Sequence, residues 1–256
     1  MSAPTWHMSK SNLTTQLTCG NVAEVAHKYA WLANVDTHSP ALFKEVILTN
    51  TYKLEPAHVI NRSVIDVGAN LGMFSIMCAA LGAPQVLACE PVPPTCELLV
   101  AHVARAQLRD RITCVRAAIT GKHSGALMMG MHADSGKNSF YDVGTHSQLV
   151  STLTLADVIT MCTQDQILLK MDCEGAEYDI LLDSAPSVFD RIDRIMLETH
   201  GDLHPTHKGL QILHDKMTAL GFTQKSYQPY GIWWYDALGT PVRWDPLNMS
   251  IELWSK

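Results

Sequence analysis

Asp172, Glu198 and His200 are the side chains best placed by type and spacing to move a proton. Asp172 follows the apolar run Gln166 to Met171, and Glu198 and His200 stand at the end of the run that starts at Arg194. An imidazole with an ordinary pKa near 6.5 takes a proton at neutral pH, and a neighbouring carboxylate can orient the ring or accept the proton itself. His200 is therefore the first choice for a base, with Glu198 as its partner or substitute and Asp172 opposite, holding a hydroxyl or an amino group. A histidine after a strand is more often structural, and it is the two carboxylates on adjacent strand ends that point to chemistry. The same three groups could instead hold a divalent cation that acidifies a hydroxyl. The preferred reading is without metal. Glu174 and Glu177, three apart at a helix start, suit the helix dipole, and Glu177 is read as readily as a substrate contact. Lys170, inside the apolar run, calls for a carboxylate partner. A zinc site on His200, His204 and His207 is disfavoured by Pro205 and the helix start between them.

These groups stand behind a second pattern, Val64-Ile65-Asp66-Val67-Gly68-Ala69-Asn70-Leu71-Gly72, followed by an apolar segment and Val86-Leu87-Ala88-Cys89-Glu90. It reads as a strand, a glycine turn, a helix, and a second strand ending in a carboxylate, which cradles a nucleoside in a doubly wound sheet. In a dinucleotide fingerprint the second glycine lets a pyrophosphate approach the backbone. Asn70 stands in that place, so a phosphate-free nucleoside, S-adenosylmethionine, is preferred to a nicotinamide dinucleotide. Glu90 is placed for the ribose hydroxyls, and Asp66, Gly68, Ala69, Asn70 and Gly72 for the methionine and ribose side. Ala118 would meet the adenine through its backbone, and Asp172 the methionine amino group. Asn70 could equally shape the turn, because Asn tolerates unusual backbone angles. Phe74 is read as helix core as readily as a cofactor contact.

The elements that must position these groups follow from periodicity. Asn21 and Glu24 resemble a capping pair before a helix, and Ser39-Pro40 an N-cap before a second helix reaching about Leu48. These two helices would pack over the ligand edge or form a partner surface, such as one for a homodimer. The core reads as strand 64 to 67, helix Gly72 to Leu81, strand 85 to 89, helix Pro93 to about Arg109, and a third strand Ile112 to Ile119. Such alternation implies a parallel sheet with ligands at the carboxyl ends of the strands. Residues 121 to 149 break the pattern, with candidate hairpin strands at Ala126 to Met131 and Ser139 to Val143. Met128, Met129 and Met131 there fit hairpin packing better than an apolar substrate pocket. A capped helix from Thr154 to Met161, strand Gln166 to Met171, strand Arg194 to Glu198, a helix from Thr206 to Leu220 stopped by Gly221, and last strands between Phe222 and Trp254 complete the count. The expectation is seven strands with the last pair partly antiparallel, residues 1–60 forming an N-terminal helical segment and 61–256 one nucleoside-binding domain.

With 256 residues the chain is long enough to bury a sizeable core. A net charge of -6 without like-charge blocks argues against a nucleic-acid partner, and a small or neutral substrate fits better. Residues 1–18 are polar, without the apolar stretch of a leader, and no run approaches a membrane span, so a soluble cytoplasmic protein is expected. Seven scattered cysteines without a C-x-x-C pair suit free thiols in a reducing compartment.

The residues also carry a resemblance. The glycine segment, Glu90-Pro91, Ala117-Ala118, Thr154-Leu155-Ala156-Asp157, Leu169-Lys170-Met171-Asp172-Cys173-Glu174-Gly175-Ala176-Glu177, Leu197-Glu198-Thr199-His200 and Leu220-Gly221-Phe222 together resemble the FkbM family of S-adenosylmethionine-dependent methyltransferases over about residues 40 to 228. The resemblance implies an α/β, mostly parallel seven-stranded Rossmann-like class I methyltransferase fold, preceded by N-terminal helices. It implies methyl transfer to a hydroxyl of a small molecule, a specialised metabolite or sugar, and His200, Glu198 and Asp172 are the catalytic groups read from the residues. The loop after the third strand and the aromatic C-terminus match no family pattern, and those parts are expected to choose the substrate. N-methylation of an amine, amide or carbamate, a cation-assisted O-methyltransferase, a cofactor-binding scaffold and a nicotinamide dehydrogenase are the alternatives.

Overall fold

Strands buried at nearly every position are covered on both faces, and Arg62–Val67 and Gln166–Met171 are of that kind although they carry Asp66 and Lys170. The computed structural model of the chain describes residues 19–132, 135–142, 144–200, 203–206, 209–229, 233–235, 241–243 and 250–256. The polar N-terminal stretch to Thr18, His207 and parts of the aromatic C-terminus lie outside the described residues. The chain opens with helix α1 (Val22–Lys28), a 3-10 turn (Ala30–Asn34), α2 (Ser39–Phe43), a π-helical turn (Lys44–Leu48) and α3 (Pro56–Val59). Strand β1 (Arg62–Val67), α4 (Met73–Ala80), β2 (Gln85–Cys89), α5 (Pro93–Arg105) and β3 (Ile112–Val115) alternate next. Then come β4 (Ala118–Thr120), β5 (Gly125–Met131), β6 (His146–Thr154), α6 (Leu155–Thr160), β7 (Gln166–Met171), α7 (Glu177–Asp183) and β8 (Ile192–Glu198). Helix α8 (Gln211–Ala219) and strands β9 (Thr223–Pro229), β10 (Trp233–Tyr235), β11 (Pro241–Arg243) and β12 (Ser250–Ser255) end the chain.

Seven strands form the central sheet in the order β3-β2-β1-β7-β8-β12-β9. It is parallel from β3 to β8, and β12 runs antiparallel to both of its neighbours. This is the doubly wound, mostly parallel α/β sheet with an antiparallel last pair expected from the sequence. Alternation along each strand divides the core. Val64, Val86, Ala88 and Leu168 face one apolar cluster with α4 and the N-terminal helices, whereas Ile65, Leu87, Cys89 and Leu169 face the other with α6, α7 and α8. Val25, Leu32 and Ile47 are fully buried in the first cluster, so the N-terminal helices share the core of the sheet. No described helix is long and apolar enough to cross a membrane.

Several local expectations need correction. The third strand is two: Ala117 N–H donates to Val115 O at 3.0 Å, and this tight turn lifts Ala118–Thr120 out of the main sheet to pair with β6. The partner of β5 is His146–Thr154 and not residues 139–143, where Ser139 makes one isolated bridge to Gly130. Ser39 is the first residue of α2 rather than its cap; Asp36 supplies the accepting oxygen for the His38 and Ser39 N–H groups and for the Ser39 hydroxyl. The helix expected from Thr206 starts at Gln211, since the Thr206 N–H and hydroxyl turn back to His204 Nδ1. Helix α5 stops at Arg105 rather than Arg109. The Asn21 cap with Glu24, the Thr154–Asp157 capping box and the left-handed stop at Gly221 are as read. Met129 and Met131 are buried against Val92, Ala118 and Val150, as hairpin packing requires, while Met128 is exposed. All seven cysteines are free.

Candidate active site

The turn after β1 is built by three positive-φ residues, Gly68, Asn70 and Gly72. Gly68 and Ala69 N–H groups both donate to Cys89 O at the end of β2, at 3.1 and 3.0 Å, which locks the turn between the two strand tips. At Gly68 a Cβ would lie 1.9 Å from the carbonyl oxygen of Asp172, so only glycine lets the turn meet the tip of β7. At Gly72 a Cβ would lie 2.3 Å from Leu99 Cδ1, so this glycine admits α5. Asn70, with φ +47°, shapes the turn, and its N–H donates to Glu90 Oε2 at 3.0 Å. The other Glu90 oxygen accepts from Val92 N–H at 2.9 Å. Burial pushes the Glu90 carboxyl up to about 7, against the pull of those two hydrogen bonds. Each carboxylate oxygen keeps a lone pair for a further donor, which is what a ribose diol needs.

Asp66 sits one residue before the end of β1, is fully buried and points at Lys170, its neighbour across the β1–β7 register. Lys170 Nζ lies 3.2 Å from Asp66 Oδ1 and 3.4 Å from Asp172 Oδ2, and donates to Gly68 O at 3.2 Å. Ser75 in α4 donates to the second Asp66 oxygen at 2.6 Å. The lysine thus has the carboxylate partner it called for, and it holds the turn from beneath. Burial disfavours its charge, but Asp66 and Asp172 outweigh burial and raise its pKa. Ala118 lies in β4, paired with Thr152 and packed beside Val92. Phe74 is buried core, edge-on to Tyr52 at 5.2 Å between ring centroids.

Because β7 and β8 are parallel neighbours, their tips bring Asp172, Glu198 and His200 together. Tyr52, from the turn between the π-helical segment and α3, joins them: its Oη is 2.9 Å from Asp172 Oδ2 and 2.8 Å from Glu198 Oε2. A phenol has one proton to give, so both contacts are hydrogen bonds only when one of the two carboxyls is itself protonated. Burial and the Asp172 charge push Glu198 up to about 8, whereas Lys170 and His200 overcome burial to hold Asp172 below its ordinary range. Asn50 aims this turn by accepting from Leu54 N–H at 2.8 Å and donating to Leu54 O at 2.9 Å.

Glu177, at the start of α7, is fully buried and does more than favour the helix dipole. Its carboxylate accepts from Cys173 N–H at 2.7 Å and Gly175 N–H at 2.9 Å, and lies 3.0 Å from His200 Nδ1. The loop can present those N–H groups because Glu174 and Gly175 take positive φ values of +54° and +100°. On its other side His200 Nε2 faces Glu174, Asp172 and Glu198 oxygens at 3.8, 3.9 and 3.9 Å. Burial pulls the imidazole pKa down, but Glu177 and Glu174 outweigh it and hold it well above the ordinary histidine value. His204 turns elsewhere, with Nε2 3.1 Å from Asp179 Oδ1 and its ring against Tyr141, so it shares no ligand position with His200. Sequence reasoning missed Tyr52 altogether, gave Glu174 a helix-dipole role and weighed that role for Glu177 against a substrate contact, and it did not see Glu177 as the partner of His200.

The profile of the methyltransferase FkbM domain matches residues 66–223, which contain the turn, Glu90 and the β7 and β8 tips. Among curated proteins no relative matches the chain. Among solved structures, a precorrin-6y C5,15-methyltransferase of Geobacter metallireducens is 13% identical with a TM-score of 0.45, covering 81% of this chain and 84% of that one. A methyltransferase FkbM of Methylobacillus flagellatus is 16% identical with a TM-score of 0.44, covering 76% of this chain and 43% of that one. A ribosomal protein L11 methylase of Lactobacillus delbrueckii is 16% identical with a TM-score of 0.39, covering 76% and 69%. None of these likenesses bears on the substrate.

Proposed function

The chain belongs to the FkbM methyltransferase family, and from that premise we propose that it uses S-adenosylmethionine to methylate a hydroxyl of a small molecule, a specialised metabolite or sugar. The observation that carries this reading is the join between the two halves of the site. Gly68 packs on the backbone of Asp172, and Tyr52 links Asp172 to Glu198, so the nucleoside turn abuts a buried carboxylate–imidazole cluster.

The donor set fits the cofactor. Glu90 offers two acceptor oxygens for a diol, the turn excludes a Cβ at Gly68, and the carboxylates beyond it suit a cationic ligand. S-adenosylmethionine supplies a methyl group already activated on sulfur, and the C–S electron pair stays on sulfur as the C–O bond forms. The protein's share is alignment to within about 3 to 3.5 Å and exclusion of water. Asp172 holds the acceptor hydroxyl or the methionine amino group at the edge of the turn. Glu198, kept in place by Tyr52 on one oxygen and facing His200 with the other, takes the hydroxyl proton in its ionised form, which becomes more abundant as pH rises toward its pKa of about 8, and the imidazole ring balances the charge beside it.

Calorimetric titration with S-adenosylhomocysteine and separately with NAD tests the cofactor. Micromolar binding of the former, lost in Glu90→Ala and absent for NAD, is expected and would justify a screen of hydroxyl acceptors. Binding of NAD alone, or of neither, refutes the reading.

A further inference from the structure

We propose that His200 Nε2, Asp172 and Glu174 form a binding site for a divalent cation, with Glu177 as the carboxylate that orients the imidazole from behind.

Glu177 already accepts two backbone N–H groups, so its contact with His200 is met by a proton on Nδ1. A carboxylate behind one ring nitrogen is the arrangement that presents the other nitrogen to a metal. That other nitrogen, on a residue 5% exposed, makes no hydrogen bond among the described residues. It points into three carboxylate oxygens, all at 3.8 to 3.9 Å. Direct hydrogen bonds need about 3 Å, so these groups surround a gap instead of bonding to one another.

The size of the gap suits a shared ion. The ligand atoms of Asp172, Glu174 and His200 lie within 4.8 Å of one another. Around a cation with bonds of about 2.1 to 2.3 Å, neighbouring ligands stand about 3 Å apart and opposite ones about 4.5 Å. The two imidazole–carboxylate spacings, 3.8 and 3.9 Å, fall between these limits, and small side-chain rotations close the set. Charge is compatible with this: Lys170 is shared among Asp66, Asp172 and Gly68 O, and Asp172, Glu174 and Glu177 all face one imidazole. The cluster also differs from the set read off the sequence: Glu174 replaces Glu198, which Tyr52 holds by its other oxygen.

One imidazole with two or three carboxylates is an oxygen-rich set suited to Mn²⁺ or Mg²⁺ rather than to thiolate-seeking ions. Three protein ligands leave places for water or for an acceptor oxygen. The chemical use rests on the methyltransferase reading, but the site does not: a cation there would lower the pKa of a bound hydroxyl, whose proton passes to Glu198.

The test uses the full chain stripped by chelator and titrated with Mn²⁺ alone, following the free ion by electron paramagnetic resonance. One Mn²⁺ per chain is expected, with a Kd below about 100 μM. Spin-echo modulation should show one coupled imidazole nitrogen in the unmodified protein. Glu174→Gln and Glu177→Gln, checked for folding by circular dichroism, should each weaken binding about tenfold or more. No binding up to millimolar Mn²⁺, binding without nitrogen coupling, or full affinity in the folded Glu174→Gln protein overturns the site. Since neither cofactor nor acceptor is present, these failures leave the S-adenosylhomocysteine titration to judge the methyltransferase reading by itself.

Discussion

Cofactor affinity should depend on pH through Glu90. This side chain is 6% exposed, each of its oxygens accepts one backbone N–H, and burial sets its pKa at about 7 in the ligand-free protein. A ribose diol brings two more donors, and a carboxylate accepts both where a protonated acid, with a hydrogen of its own, does not. Binding therefore selects the ionised form. Below about pH 7 the affinity should fall close to tenfold per unit, so that Kd for S-adenosylhomocysteine rises about 30-fold between pH 8 and pH 5.5, or about 2 kcal/mol. At pH 7 about half a proton should be released per ligand bound. Calorimetry in buffers of different ionisation enthalpy measures both quantities. Stability of the ligand-free protein runs the other way. The folded carboxyl binds its proton more tightly than the ordinary value of 4.5, so this group's contribution is full below that value and is lost as pH rises to about 7. The loss is about 3 kcal/mol at most. A Kd that stays level from pH 8 to pH 5.5, or a slope that persists in Glu90→Gln, refutes the reasoning.

Tyr52→Phe removes a hydroxyl that meets both Asp172 and Glu198, and urea denaturation should show a loss of about 1 to 3 kcal/mol; an unchanged midpoint would mean that the bridge contributes nothing. Gly68→Ala places a methyl group 1.9 Å from Asp172 O on a backbone with φ +76°, and should abolish S-adenosylhomocysteine binding in calorimetry even where circular dichroism shows a folded chain; retained micromolar binding would contradict the geometry. Asp66→Asn takes from Lys170 its fully buried partner and should cost about 3 to 5 kcal/mol in the same denaturation assay. A loss under about 1 kcal/mol would show that Asp172 and Gly68 O hold the ammonium without it.

What was legible in the sequence was what lies close along the chain or follows from strand order. The glycine turn is local: its positive-φ residues and the carboxylate at the end of β2 stand within one strand–helix–strand unit, and the unit dictates their meeting. The gathering of Asp172, Glu198 and His200 needs only that β7 and β8 be parallel neighbours, which the alternation implies. The errors fell where a single turn decides. Nothing in Ile112 to Ile119 announces that Ala117 will bond back to Val115 and divert the strand, because the run has the composition of one continuous strand.

Tyr52 shows the limit more sharply, since it stands 120 positions before Asp172 and 146 before Glu198 on a segment without periodicity. Its signal was indirect. A chain that buries two strand-tip carboxylates must bring donors to them, and Lys170, on Asp172 Oδ2, and His200, facing Glu198 Oε1, leave Glu198 Oε2 unmet. The missing donor had to come from whatever packs across the strand ends, and the N-terminal helices, sharing the first apolar cluster, are the element in that position. Glu177 follows the same logic. Glu-Gly at positions 174 and 175 marks a left-handed turn that leaves N–H groups pointing inward, so the next acid in the chain is drawn in to accept them. Once there it fixes the ring of His200, and the helix-dipole role becomes secondary to holding the imidazole. Both residues could have been sought by asking, for each buried charge, which hydrogen-bond partner was still missing.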